Sequence, residues 1–296
     1  MTLSAYSFPK PSTPGRILGG LTELLHRTLQ RRGGPKQIPL PPVVGRAREG
    51  VTIVAIFRDE ASYLAEWIEF HLVVGVTHLV LYDNGSTDDS LTVLEPYVRQ
   101  GLVTVIPWRA FARDVNVQRL AYAHAVANFA SQAAWMAFID VDEFLFSEKR
   151  RSLPDALGAY ADAAALYVPR YEFGPSGCKK RPAGLVTESY THRATWGEPT
   201  VKSIVRPHLV TSVGTHHTHV NGRERTIGTA AHDLRINHYF TKSEAEFEAK
   251  LRRGWPQGAS CKLDPKWELY EQVTRNTVGD AAALPIAKAV ADRLLR

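Results

Sequence analysis

From Val51 onward, short apolar runs alternate with stretches of helical period. VTIVAIF (51–57) reads as a strand; Tyr63, Leu64, Trp67, Ile68, His71 and Leu72 then recur at helix spacing, and HLVLYD (78–83) returns to a strand. A second helix is expected from Asp88, as its N-cap, through Leu91, Leu94 and Val98 to a terminating Gly101, with LVTVI following as a strand. Gln118–Phe129 reads as a third helix and AWMAFID as a fourth strand. Strands alternating with helices in this way predict a mostly parallel, Rossmann-like α/β sheet with helices on its faces.

Beyond Arg150 the rhythm loosens into ALYVPRY, VKSIVRP and LRINHYF, separated by Gly-, His- and Arg-rich loops, which predicts a mixed sheet on a substrate side. Ser243 with Glu246 forms a capping box for a helix to about Leu251, and Ala281–Leu295 reads as a last amphipathic helix. Residues 1–50 are Pro-, Gly- and Arg-rich around one helical stretch, Arg16–Arg31, and read as an attached basic arm. The expected organisation is therefore the arm at 1–50, a catalytic domain at 51–240 and a helical segment at 241–296 packed on it.

A length of 296 residues suits one catalytic domain with appendages, and 44% hydrophobic with 22% charged residues excludes a mainly disordered or fibrous chain. The net charge of +6 fits a phosphate-bearing small molecule or an anionic surface as well as nucleic acid, so charge alone does not choose. Cys178 and Cys261 lack CxxC spacing, which gives no support to a disulfide scaffold or zinc knuckle and fits a reducing compartment. With no apolar run of about eighteen residues and no signal-like N-terminus, a cytoplasmic location is expected. Arg27, Arg31 and Arg32 on the arm allow peripheral contact with the inner face of a membrane.

The sharpest chemical feature is WMAFIDVDEFLF. Read as a strand, it sends Asp140 and Asp142 to the same side, where two like charges need a shared cation; Mn²⁺ or Mg²⁺ would supply it and bridge to a diphosphate. The plain alternative is a solvated turn after a strand. HLVLYDNGSTDDS likewise delivers Asp83 at a strand's carboxyl end, before a small-polar loop that serves equally as a turn and N-cap. Arg58 follows the first strand, where a cation meets a nucleotide, and Asp59 beside it is a candidate helix cap. In GTHHTH, His216, His217 and His219 lack a carboxylate or Cys nearby, and a polar loop is expected rather than a zinc site.

The succession from VTIVAIFRDEASYLAEWIEFHLVVGVTHLVLYDNGSTDDS through Leu94, Tyr97, Gly101 and Gln118 to AWMAFIDVDEF, with the later INHYFTKSEAEF, resembles the glycosyltransferase family 2 and family 92 group over roughly Val51 to Gly254. The resemblance implies a GT-A fold and an inverting, metal-dependent transfer from a nucleotide sugar, with a UDP-sugar favoured, to a glycan or other hydroxyl acceptor, and no nucleic-acid partner. By position it implies that Asp140 and Asp142 hold the metal and donor diphosphate, that Asp83 meets the nucleotide base, and that His238 is a third metal ligand. On its own, His238 among Ile236 and Phe240 reads as a core residue. Lys202 and Arg206, on one strand face, are donor-phosphate candidates, or else a solvated basic edge.

Inversion by direct displacement needs a carboxylate to take the acceptor's proton, and Glu172, Glu188 and Asp233 are equal candidates. Two other readings compete. A haloacid-dehalogenase-like phosphatase also ends a strand in DxD, but on an early strand and with Thr or Val where Phe144 stands. A non-catalytic nucleotide-sugar or carbohydrate-binding protein of the same fold is the second, opposed by the joint presence of Asp83, Asp140, Asp142 and His238.

Overall fold

A computed structural model describes residues 37–41, 49–109, 116–195, 198–221, 225–227, 233–253 and 276–295. The helix expected at Arg16–Arg31 lies outside these. Strands β2 (Val51–Phe57), β3 (His78–Asp83), β4 (Val103–Pro107) and β5 (Trp135–Phe138) pair in parallel in the order β4-β3-β2-β5. The sheet continues through β9 (Glu198–Val205), β7 (Ala163–Glu172), β13 (Leu234–His238) and β6 (Glu143–Ser147). Here β9 is antiparallel to both neighbours, β13 parallel to β7, and β6 antiparallel to β13. One nine-stranded sheet, with Arg225–Ile227 added beside β7, thus carries both the parallel half and the mixed half.

β2 shows why its run is unbroken. Val51, Ile53, Ala55 and Phe57 enter one core, while Val54 enters the other with Val80 and Tyr82, so the strand is buried on both faces. The first core is roofed by α1 (Ala61–Val73), which presents Leu64, Trp67, Ile68 and Phe70, by α2 (Ser90–Arg99), and by the helix at Leu284–Leu294, which packs on α1. α3 (Val117–Phe129) covers the second core. Among the described residues no helix is long and apolar enough to cross a membrane.

The exposed donors at the start of α1 are satisfied from a distant segment. Asp59 N donates to Ser86 Oγ, Glu60 N to Ser90 Oγ and Ala61 N to Asp88 Oδ2, all within 3.0 Å. Asp59 is therefore not the cap of this helix. Its own carboxylate accepts from Thr87 N at 2.7 Å, and its backbone sits in the left-handed region at φ 54°. Asp88 also caps its own helix as expected, its Oδ1 accepting from Ser90 N at 3.0 Å in the first turn of α2.

His71 is buried on α1 and sets an acid limit on stability. Its Nδ1 donates to Trp67 O at 2.8 Å and its Nε2 accepts from Leu145 N at 3.1 Å, the tautomer assigned from these partners. Burial lowers its pKa to about 3. The unfolded chain takes up this proton near pH 6.5 while the folded chain refuses it, so stability falls as pH drops from 6.5 towards 3. Between pH 6.5 and 4.5 this residue alone should cost roughly 2–3 kcal/mol. A His71→Gln variant should lose melting temperature less steeply over that window; an identical pH slope would refute the assignment.

β1 (Ile38–Pro39) falls within the stretch read as an arm, yet it pairs with β10 (Val210–Val213), and Leu40 N donates to Thr211 O at 2.7 Å. Ile38 and Leu40 also pack against the second core. Truncation through residue 45 should therefore melt lower than truncation through residue 36, by a few degrees for about 1 kcal/mol of lost packing. Equal melting temperatures would show that this strand contributes nothing.

Candidate functional site

The site forms where β5 parts from β9. Their pairing covers only Met136–Ala137 against Val205–Ile204, and beyond it the chain turns at Asp140–Asp142 into β6, with Glu143 N donating to Asp140 O at 3.0 Å. β5 thus ends at Phe138, before the acids, and the expected strand placement of Asp140 and Asp142 is corrected to a turn. The consequence is that the two carboxylates take separate partners. Asp140 accepts from Lys202 Nζ and Gln118 Nε2, both at 2.6 Å, whereas Asp142 accepts from Lys250 Nζ at 2.9 Å and faces His238 Nε2 at 3.4 Å.

Behind this turn, one rung of the sheet joins three strands. Glu143, His238 and Glu172 are register partners on β6, β13 and β7, so their side chains leave the same face. By the two-residue period, Arg170 lies on that face of β7, and Lys202 joins it from β9 opposite Val168. Arg170 Nη1 donates to Glu143 Oε1 at 2.9 Å, Lys202 Nζ lies 3.3 Å from Glu143 Oε2, and His238 Nδ1 donates to Glu172 Oε1 at 2.7 Å. Charges of alternating sign therefore run from partly exposed Asp140 through the buried Glu143 to partly exposed Lys250, each held by an opposite neighbour.

These contacts set the ionisation of the cluster. Burial opposes the charge on Asp140, but Lys202 outweighs it and holds the carboxyl below its usual range. Burial likewise opposes Asp142, which Lys250 and His238 hold well below that range. For Glu143 burial wins over Lys202, and its pKa is raised. Burial would lower His238, but Glu172 and Asp142 raise it to about 9, so without a metal the ring is an imidazolium at neutral pH.

Among the described residues no group of three or more His, Cys, Asp or Glu side chains could hold a metal ion. The chain offers two ligand atoms instead. The Nδ1–Glu172 bond fixes the His238 ring so that Nε2 faces Asp142 Oδ1, and a divalent ion held by these two atoms would have to displace the Nε2 proton. Asp140 instead accepts from Lys202 and Gln118.

The other expected residues are distributed as follows. Asp83 ends β3 and caps its own loop by accepting from Ser86 N at 2.8 Å, at the carboxyl edge where β2 also ends. Arg58 is exposed and pairs with Asp59 at 3.5 Å. Lys202 is in the cluster, but buried beneath Asp140 and Glu143 rather than open to a phosphate. Arg206 is not in it: past the end of β9, it stacks over Trp135 and donates to Ala134 O and Ala161 O. Asp233 lies at the opposite end of β13 from His238, bound by Arg151, Ser147 Oγ and Lys149 N, and is corrected to a structural anchor. Glu188 is exposed on a one-turn helix, Val186–Ser189; Glu66 accepts from Val186 N and Thr187 N at the start of that helix.

Sequence reading missed Arg170, Lys250 and Lys242. Arg170 carried a signal, being a charge inside an apolar strand. Lys250 and Lys242 carried none: Lys242 sits at φ 52°, its ammonium over the Tyr63 ring and 3.5 Å from Glu60, with burial lowering its pKa.

A sheet parallel on one side and mixed on the other, with acids gathered outside the carboxyl ends of β2, β3 and β5, defines an α/β protein of the nucleotide-binding, GT-A type. Residues 51–290 match Glycosyltransferase family 92, and the chain belongs to that family. A family 92 protein of Ricinus communis is 32% identical over 225 residues, covering 73% of this chain and 40% of that protein. A galactan beta-1,4-galactosyltransferase of Arabidopsis thaliana is 25% identical, covering 60% of this chain and 36% of the relative. The chain thus spans well under half the length of these relatives. Among solved structures, residues 1–349 of S. aureus TarS align with a TM-score of 0.37 at 13% identity, over 54% of this chain and 48% of that one, too partial an overlap to carry weight.

Proposed function

We propose that this chain is an inverting, metal-dependent glycosyltransferase that moves a sugar from a UDP-sugar to a hydroxyl of a glycan acceptor. The observation that carries this reading is the Glu172–His238–Asp142 arrangement, in which one ring nitrogen is tied down and the other faces a carboxylate. Asp142 and His238 would hold Mn²⁺ or Mg²⁺, and the ion would supply positive charge to the departing diphosphate. Lys250 and Lys242, both acting on Asp142, place further positive charge at the same edge. Asp83, at the carboxyl end of β3, is suited to accept from the base or ribose. Glu172 orients His238 and is not the acceptor's base in this reading, because its carboxylate is engaged by His238 and lies 3.5 Å from Arg170. The galactosyltransferase name of one relative supports galactose as the sugar to try first.

The test is a thermal-shift series with UDP-galactose, UDP-glucose, GDP-mannose and dTDP-glucose, each with and without Mn²⁺. A UDP-sugar at a hundred times its Kd should add about 2.7 kcal/mol of stability, and only when Mn²⁺ is present. No shift with any nucleotide sugar would sink the proposal.

A further inference from the structure

Asp140 is held by more than its counter-charge. Gln118, half-buried in the first turn of α3, donates one Nε2 hydrogen to Asp140 Oδ1 at 2.6 Å and the other to Tyr122 Oη at 2.9 Å. An ionised carboxylate only accepts, so the nitrogen of the amide must be the atom that faces Asp140. The helical period sets Gln118 and Tyr122 one turn apart on the same face of α3. Tyr122 is fully buried, with its ring centroid 4.8 Å from that of Phe138 at the end of β5. Core packing thus fixes the phenol, the phenol holds the amide, and the amide reaches the turn that bears Asp140.

The main chain of Asp140 is fixed as well. Its N donates to Glu143 Oε2 at 2.9 Å, and its O accepts from Glu143 N at 3.0 Å. What remains open is rotation of the carboxylate about its last torsion, which is broad for aspartate. Lys202 Nζ, 2.6 Å from Oδ2, neutralises the charge, but an ammonium is a compact point charge that attracts either oxygen. The planar amide on Oδ1 adds no charge and gives direction, so the two donors together hold both oxygens in place. Each oxygen accepts more than one hydrogen bond, and 32% of the side chain is exposed. A carboxylate aimed in this way still accepts from a ligand hydroxyl at the edge where β5 ends.

We propose that Gln118 is a positioning residue for the donor, holding the Asp140 carboxylate in the orientation that accepts from a hydroxyl of the nucleotide sugar. This rests on the reading of the chain as a nucleotide-sugar transferase. The test is calorimetry on the full chain with Mn²⁺, using UDP-galactose and UDP-glucose as probes, beside melting curves of the same samples. Gln118→Met keeps the length of the side chain but donates nothing. It should bind the preferred UDP-sugar about tenfold more weakly, as expected for a lost hydrogen bond to a charged group, with its melting temperature nearly unchanged. In an Asp140→Asn background the same substitution should cost no more than about twofold, because the carboxylate that it positions is gone. Tyr122→Phe, which frees the amide without touching Asp140, should weaken binding about two- to threefold and keeps the test decisive if Asp140→Asn binds too weakly to measure. Wild-type affinity in Gln118→Met or in Tyr122→Phe, or an equal loss in both Asp140 backgrounds, would overturn the proposal and leave the transferase reading standing. So would a loss of affinity that comes with a large fall in melting temperature. A wild type that binds no nucleotide sugar would overturn both.

Discussion

Asp142→Asn is expected to lower kcat/KM for UDP release from the preferred UDP-sugar by about 10³-fold, equivalent to about 4 kcal/mol of transition-state stabilisation. The reason is positional. Among the described residues Asp142 is the carboxylate set against His238 Nε2, and it is also the partner of Lys250. The amide keeps the shape but loses the charge, so the fold should survive with a cost of about 1–2 kcal/mol from the cations left behind. Asp233→Ala is the control: it removes a more deeply buried aspartate at the far end of β13 and should lower the melting temperature while leaving turnover within a fewfold of wild type. Undiminished turnover in Asp142→Asn, or an equal loss in Asp233→Ala, would contradict the proposed site.

Lys202→Met is expected to be the most destabilising single change in the cluster. Lys202 is fully buried, with its ammonium 2.6 Å from Asp140 and 3.3 Å from Glu143. Burial would lower its pKa, but these two carboxylates raise it, so the residue is charged at neutral pH. Methionine fills the volume of the stem but leaves Asp140 without its counter-charge and Glu143 with Arg170 alone, which costs about 3–5 kcal/mol and some ten degrees of melting temperature. Adding Glu143→Gln should recover part of that loss, because one of the two under-compensated charges is then gone. Melting curves of the two single variants and the double variant measure the coupling, and strict additivity would show that Lys202 does not neutralise Glu143.

Much of the fold was legible in the chain because its strands are buried on both faces. The runs at 51–57, 78–83 and 135–138 are nearly continuous in apolar residues, and their alternation with helical periods leaves few arrangements other than a parallel sheet with helices on both sides. The acids were legible for the same reason, since Asp83, Asp140, Asp142 and Glu143 interrupt segments that otherwise avoid water. Period-2 reading also placed Ile236 and His238 on one face of β13.

What the chain could not show is which residues meet across strands, because register depends on pairing between segments far apart. Lys250 reaches Asp142 over 108 residues, and Asp88 completes the start of a helix that precedes it by 27. The separation of Asp140 from Asp142 followed from β5 ending two residues early, a consequence of the chain turning away from β9 rather than of any local propensity. Sequence by itself determined that acids stand at the carboxyl edge of a doubly covered sheet. Only the tertiary structure decided their partners, since a buried charge takes whichever counter-charge the neighbouring strand brings into reach: Lys202 for Asp140, His238 and Lys250 for Asp142, and Arg151, at the opposite edge, for Asp233.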